Sequence, residues 1–201
     1  GKTTLGRAIL RLVDPNQGSI IINGQDITKV PQKDLMPIRK FAQIVFQNPD
    51  SSLNPRKTIG DLICRPLLHF GISKSSDAPQ KAKHLLDLVR LPHHYLDRYA
   101  HQMSGGEKQR VGIAIALATN PNFIVCDEPV SALDVSVQAA IVNLLAELRD
   151  RLGVAYLFIS HDISVVSHLC DRIAVMHAGK IVELGDTDQI ITSPQNDYTK
   201  K

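Results

Sequence analysis

No uninterrupted apolar segment of this sequence is long enough to cross a bilayer, and no signal-peptide pattern stands at its start. Any link to a membrane is therefore expected to go through a partner. Lys and Arg never gather into a long run, and the formal net charge is only +3, so nothing in the charge pattern demands nucleic acid. Cysteine is scarce. Cys64, Cys126 and Cys170 are scattered without metal-ligand spacing, which fits reduced thiols, and Cys126 reads as a small core residue. Trp is absent, and neither an internal repeat nor a coiled-coil heptad pattern is visible.

What remains is an ordinary globular composition, 43% apolar and 21% charged over 201 residues, enough to bury one sizeable core divisible into two lobes. Leu5, Ala8, Ile9 and Leu12 repeat at helical spacing and predict a helix over Lys2 to Val13. Turn formers follow at Asp14 to Gly18, then a strand from Ser19 to Asn23 and a β-type run from Arg39 to Phe46. From Ser51 to Gln102 prolines punctuate short helical patterns. In one of these Asp77 can cap and Ala82, Leu85, Leu86 and Val89 form a stripe, so residues 48–103 are expected to be a helical subdomain. The α/β core, residues 1–47 and 104–185, returns with a helix from Ser104 to about Thr119 and an apolar strand at Phe123 to Cys126. A helix capped by Asp134 then carries Val137, Ile141, Leu144, Leu145, Leu148 and Leu152 on one face and stops at Gly153. Val154 to Ser160 is a second apolar strand, and strands are expected at Ile173 to Met176 and Ile181 to Leu184. Strand–helix–strand alternation with burial on both faces predicts a mostly parallel sheet covered by helices.

Several residue groups carry chemistry. Gly1-Lys2-Thr3-Thr4 reads as the end of the phosphate-binding pattern G-x-x-x-x-G-K-[ST]. The earlier glycines and an initiator Met are not in the sequence, so an N-terminal truncation is expected. Lys2 at a helix start would neutralise phosphate charge and the Thr3 hydroxyl would bind Mg²⁺; a surface Lys-Thr pair is the plainer alternative. Asp127 and Glu128 leave an apolar strand before Pro129. One carboxylate there can hold the metal and the other polarise a water, unless the two are simply acids at an exposed strand end. Ser104 and Glu107 fit a capping box. Gly105 and Gly106 cost helix stability, and an anionic phosphate approaching the backbone would explain them. His161 and Gln47 stand at strand ends, where an imidazole could meet a γ-phosphate or orient a water and an amide could touch metal and water; a structural role is open for both. His69, His84, His93, His94, His101, His168 and His177 form no ligand arrangement.

Taken in order, these groups resemble the nucleotide-binding subunit of ABC transporters over essentially the whole chain. Gly1 to Thr4 is similar to the end of the Walker A loop, Gln47 to the Q-loop glutamine and Met103 to Glu107 to the signature motif. Phe123 to Glu128 is similar to Walker B, Ser131 to Asp134 to the D-loop, and His161 to the switch histidine. Met103 stands where Leu is usual, and Glu107 and Lys108 replace the more frequent Gln and Arg. The segments Gln47 to Arg56, Asp127 to Ala139 and Ser193 to Lys200 are similar to those of bacterial oligopeptide and dipeptide importers, a subfamily that includes nickel and glutathione importers; residues 186–201 would open its C-terminal extension.

The resemblance implies an ABC-type P-loop NTPase fold with a β-subdomain and an inserted helical subdomain. ATP and Mg²⁺ would lie on Gly1, Lys2, Thr3 and Thr4 of one subunit and on Ser104, Gly105, Gly106, Glu107 and Asp134 of another. Thr3, Gln47 and Asp127 would hold the metal, with Glu128, His161 and Gln47 in the hydrolytic step. The implied partners are a second ATPase subunit, identical or not, transmembrane permease subunits and, indirectly, a periplasmic or extracellular substrate-binding protein, with no nucleic acid. The implied location is the cytoplasmic face of the bacterial inner membrane. A non-transport ATPase of the same superfamily, acting in DNA repair or translation, is the rival reading.

Overall fold

The computed structural model describes residues 1–200. Helix α1 spans Lys2–Ile9, four residues shorter than its apolar spacing predicts. Arg11 ends it: the residue takes a left-handed φ of 52°, and its buried guanidinium donates to the carbonyls of Ile27 and Thr28 and pairs with Asp14. Strands β1 (Ile21–Ile22) and β2 (Gln25–Asp26) form a two-residue hairpin in which Asn23 and Gly24 both have positive φ. Asn-Gly suits that turn because glycine lacks the Cβ that disfavours this region and asparagine tolerates it. Helix α2 (Met36–Phe41) takes the first part of the expected β-type run, with Pro37 in its first turn, and β3 keeps Ala42–Val45.

Helices α3 (Pro49–Ser52), α4 (Ile59–His69) and α5 (Ala78–Leu88) and two short 3-10 turns, His93–Asp97 and Ala100–Gln102, form a helical lobe. Ile59, Ile63 and Leu67 of α4 are buried in one cluster with the expected stripe Ala82, Leu85, Leu86 and Val89. Asp77 stands at the N-cap of α5, yet its side chain makes no capping bond; its carboxylate accepts from the Ser76 hydroxyl.

Helix α6 spans Gly105–Leu117, β4 Phe123–Asp127, α7 Val135–Leu152 and β5 Ala155–Ile159. The sheet order is β3-β4-β5, all parallel, with Val45 beside Cys126 and Asp127 beside Ile159. Alternate residues of β4 serve two cores: Val125 joins Leu10, Ala42 and Ile159 on the α1 side, while Ile124 and Cys126 join α6, α7 and the helical lobe. That double burial is why the strand is apolar throughout. Gly153 stops α7 with φ 65°. Asp134 takes the expected N-cap position of α7 but makes no side-chain capping bond, and Leu152 is 43% exposed because the last turn runs past the core. Helix α8 (Ile163–Leu169) leads to the antiparallel pair β6 (Arg172–His177) and β7 (Lys180–Asp186), and α9 (Thr187–Thr192) packs back on it. No helix among the described residues is long and apolar enough to cross a membrane.

Candidate functional site

Because the three parallel strands are in register, their carboxyl ends open on one edge, the place where ligands bind in open α/β sheets. Gln47 follows β3 by two residues, Asp127 ends β4, and Ser160 and His161 follow β5. Helix α1 packs on β4 and β5 and brings its first turn to the same edge. There Lys2 Nζ donates to the Ser160 carbonyl at 2.9 Å, and Thr3 Oγ1 donates to Asp127 Oδ1 at 2.9 Å. Thr4 is exposed, and Gly1 lies against Met176 and Gly179 of the β6–β7 hairpin.

Glu128 is the geometric pivot. Its φ of 47° is unusual for a residue with a Cβ and costs about 1–3 kcal/mol, a kind of strain that concentrates at functional sites. Its N–H still donates to the Ile159 carbonyl at 3.0 Å, so the turn comes directly after the strand pairing ends. The carboxylate is then met from two sides. Gln47 Nε2 donates to Glu128 Oε2 at 3.0 Å, and His161 Nδ1 lies 3.5 Å from the same oxygen. Gln47 Nε2 also reaches Ser131 Oγ at 3.3 Å, a hydroxyl that sequence reasoning placed in the D-loop without a contact to Gln47. The structure thus gathers Gln47, Glu128 and His161 into one cluster, and Lys2, Thr3 and Asp127 into another at the same sheet edge.

Asp127 is 1% exposed. A hydroxyl and a buried carboxylate suit a hard cation whose other ligands are waters and phosphate oxygens. No group of three or more His, Cys, Asp or Glu able to hold a metal alone occurs among the described residues. Thr3 and Asp127 thus fit a divalent cation that brings most of its ligands with it.

Ser104, Gly105, Gly106, Glu107 and Asp134 lie elsewhere, together lining a shallow groove between α6 and α7. The capping box is formed: the Ser104 N–H donates to Glu107 Oε2 at 2.7 Å, and the Glu107 N–H donates to Ser104 Oγ at 3.4 Å. Tyr95, not singled out from the sequence, donates its hydroxyl to Glu107 Oε1 at 2.7 Å. That bond, with the Ser104 N–H, holds the Glu107 carboxyl below the usual carboxylate range. The glycines have an internal reason besides any ligand: a Cβ on Gly106 would stand 2.5 Å from Val137 Cγ1. Ser104 itself is exposed. The sequence-predicted site residues therefore fall on two separate surfaces, one around Glu128 and one around Ser104.

A parallel sheet with functional groups at its carboxyl edge, a lysine and threonine in the first turn of the adjacent helix and an inserted helical lobe define an α/β domain of the P-loop nucleoside-triphosphatase class. Comparison with known proteins narrows this. The family described as ABC transporter matches residues 1–131. OppF, the oligopeptide transport ATP-binding protein of Streptococcus mutans, is 49% identical over 201 residues, covering 100% of this chain and 65% of that protein. A putative peptide import ATP-binding protein of Brucella ovis is 46% identical over 200 residues, covering 100% of the chain and 63% of its own length. The solved structure of cbiO1 from Clostridium perfringens, part of an ABC transporter complex, superposes with a TM-score of 0.82 at 28% identity, over 96% of this chain and 75% of that one. The ATP-binding cassette MJ0796, in a dimeric post-hydrolysis state bound to ADP and Pi, gives the same TM-score and identity over 93% and 81%. The chain belongs to the ABC transporter family. It spans less than two thirds of the length of these curated relatives.

Proposed function

We propose that this chain is part of an ATP-binding and ATP-hydrolysing subunit that powers an importer of oligopeptides or dipeptides. The observation that carries the reading is the convergence of Gln47 and His161 on one oxygen of Glu128, at the same sheet edge as the Lys2, Thr3 and Asp127 group. The names of the relatives support peptides over nickel or glutathione as cargo, and over a role in DNA repair or translation.

Lys2 supplies positive charge at the N-terminus of α1, where backbone N–H groups also face an anion. Thr3 and Asp127 would hold Mg²⁺, which neutralises charge on the β- and γ-phosphoryl oxygens when bound. Glu128 Oε2 accepts a proton from the water that attacks the γ-phosphorus as the bond to the leaving ADP oxygen breaks. Gln47 and His161 hold that carboxylate and the water in line. The second surface, Ser104 to Glu107 with Asp134, serves the nucleotide of a partner subunit, so each chain carries two half-sites and turnover needs a dimer. The further partners are permease subunits and, through them, a substrate-binding protein, which puts the subunit on the cytoplasmic face of the bacterial inner membrane.

The test uses the full-length protein reconstituted with its permeases in vesicles. Labelled oligopeptide is expected to accumulate only with ATP, and Glu128→Gln to bind ATP while nearly abolishing turnover. Wild-type-like ATPase from that variant removes Glu128 as the base, and ATP-driven uptake of nickel but not peptide replaces the cargo.

A further inference from the structure

Gln47 lies on an exposed bend and owes its position to the residues on either side of it. On one side Val45 is buried at the end of β3; on the other, Leu53 is buried after α3, both in the large apolar cluster. Between these anchors the segment is held by the first turns of α6. Gln109, 1% exposed, donates Nε2 to the Phe46 carbonyl at 3.4 Å, directly before Gln47. Lys108 Nζ donates to Asp50 Oδ1 at 2.6 Å, three residues after it. Asn48 fixes the start of α3 by accepting the Asp50 N–H at 2.9 Å, so tension on Asp50 is passed directly to the residue next to Gln47.

We infer that Lys108 is a positioning residue for Gln47: its ion pair with Asp50, beside the Gln109 contact to Phe46, brackets the segment so that the Gln47 amide meets Glu128. The Lys108 side chain is only 15% exposed while its partner is 62% exposed. The ammonium is thus laid along the protein surface toward one defined carboxylate. The exposure of Asp50 keeps the stability contribution of the pair small, and urea unfolding of each variant separates any loss of fold from a change in geometry. What it fixes is the direction of a segment whose tip carries the amide, and misplacement of such a group by about 1 Å can cost turnover on the order of 10²-fold. The inference rests on the proposal that Gln47 and Glu128 act in ATP hydrolysis.

The experiment compares Lys108→Glu, Asp50→Lys and the double charge swap in the full-length protein assembled with its partner subunits. Each single variant is expected to lower kcat by about tenfold while KM for ATP stays within about twofold, because the bracket acts on the hydrolytic geometry and not on nucleotide affinity. The double swap is expected to recover most of the loss. Hydrogen exchange over residues 46–53 is expected to quicken in the single variants and return in the double. A double variant as impaired as the singles, or single variants with unchanged kcat or unchanged exchange, overturns the inference. A wild-type assembly without ATPase activity defeats the hydrolysis proposal instead, and the exchange comparison still judges the bracket.

Discussion

Thr3 and Asp127 lie 124 positions apart in sequence, and the hydroxyl of one bonds the carboxylate of the other at 2.9 Å. The bond closes the start of α1 onto the end of β4. It also leaves a carboxylate that is 1% exposed with a hydroxyl as its side-chain partner, an arrangement that favours a cation more than it favours the fold.

The first prediction follows from that imbalance. Asp127→Asn keeps the shape and removes the buried charge, so the nucleotide-free protein should become more stable, by about 1–2 kcal/mol. If Asp127 holds Mg²⁺ as proposed, turnover in the assembled protein should fall by roughly 10²-fold or more. Urea unfolding without nucleotide and steady-state ATPase check the two halves. A variant both destabilised and active would show that Asp127 is a structural acid.

Gly106 gives a second prediction, with an unusual sign. In an exposed helix, glycine to alanine gains about 1 kcal/mol. Here the new Cβ would meet Val137 Cγ1 at 2.5 Å, well inside contact distance, so either Val137 must leave its rotamer or α6 and α7 must separate. Gly106→Ala should therefore destabilise by about 1–3 kcal/mol. Val137→Ala removes the obstructing methyls, and the double variant should be more stable than Gly106→Ala alone. A double-mutant cycle by urea unfolding measures the coupling.

A third prediction concerns the thiols. Cys126 is fully buried in β4, and burial pushes its pKa far above the ordinary thiol value; Cys170 and Cys64 are raised in the same direction by desolvation first and by nearby acids second. All three should react slowly with an alkylating reagent at neutral pH, Cys126 not at all until the protein unfolds. Mass spectrometry after timed labelling reads each site. Fast modification of Cys126 in the folded protein would contradict the packing of β4.

How much of this could be read from the sequence depended on how local each signal was. Phe123 to Cys126 announced a buried strand because every residue in it is apolar, whereas the strand expected from Ser19 to Asn23 is only Ile21–Ile22, paired through a turn at Asn23 and Gly24 with Gln25–Asp26. Gln47, Glu128 and His161 were legible as strand-end residues, and register then brought them together. The end of α1 was hidden, since Leu12 keeps the helical spacing while the Arg11 guanidinium finds its partners at Ile27 and Thr28. Asp77 and Asp134 had the right chemistry for caps and the right positions, and neither makes the bond. Tyr95 and the Lys108–Asp50 pair carried no sequence signal, because each is defined by a contact between segments that only the packing of the helical lobe on α6 brings together.

The last prediction is a pH dependence at the start of α6. The Glu107 carboxyl is held below its ordinary range chiefly by the Tyr95 hydroxyl, then by the Ser104 N–H and hydroxyl, with the Arg98 charge adding to them; partial burial opposes them. Arg98 also lies over the Tyr95 ring, 4.1 Å from its centroid. A carboxylate depressed in the folded state adds stability that is fully present above its unfolded pKa, about 4.3, and is lost as pH falls through the lower folded value. Tyr95→Phe removes the largest of these donors. The stability gap between wild type and Tyr95→Phe should therefore be widest near neutral pH and narrow as pH falls below about 4. The acid-unfolding midpoint of the variant should move to higher pH. In the Glu107→Gln background the charge is gone, and Tyr95→Phe should produce a gap that no longer varies with pH in this range. Urea titrations at a series of pH values from neutral into the acid range decide it: a wild-type gap that is constant across the series would mean that the bond between Tyr95 and Glu107 does not set the charge at the head of this helix.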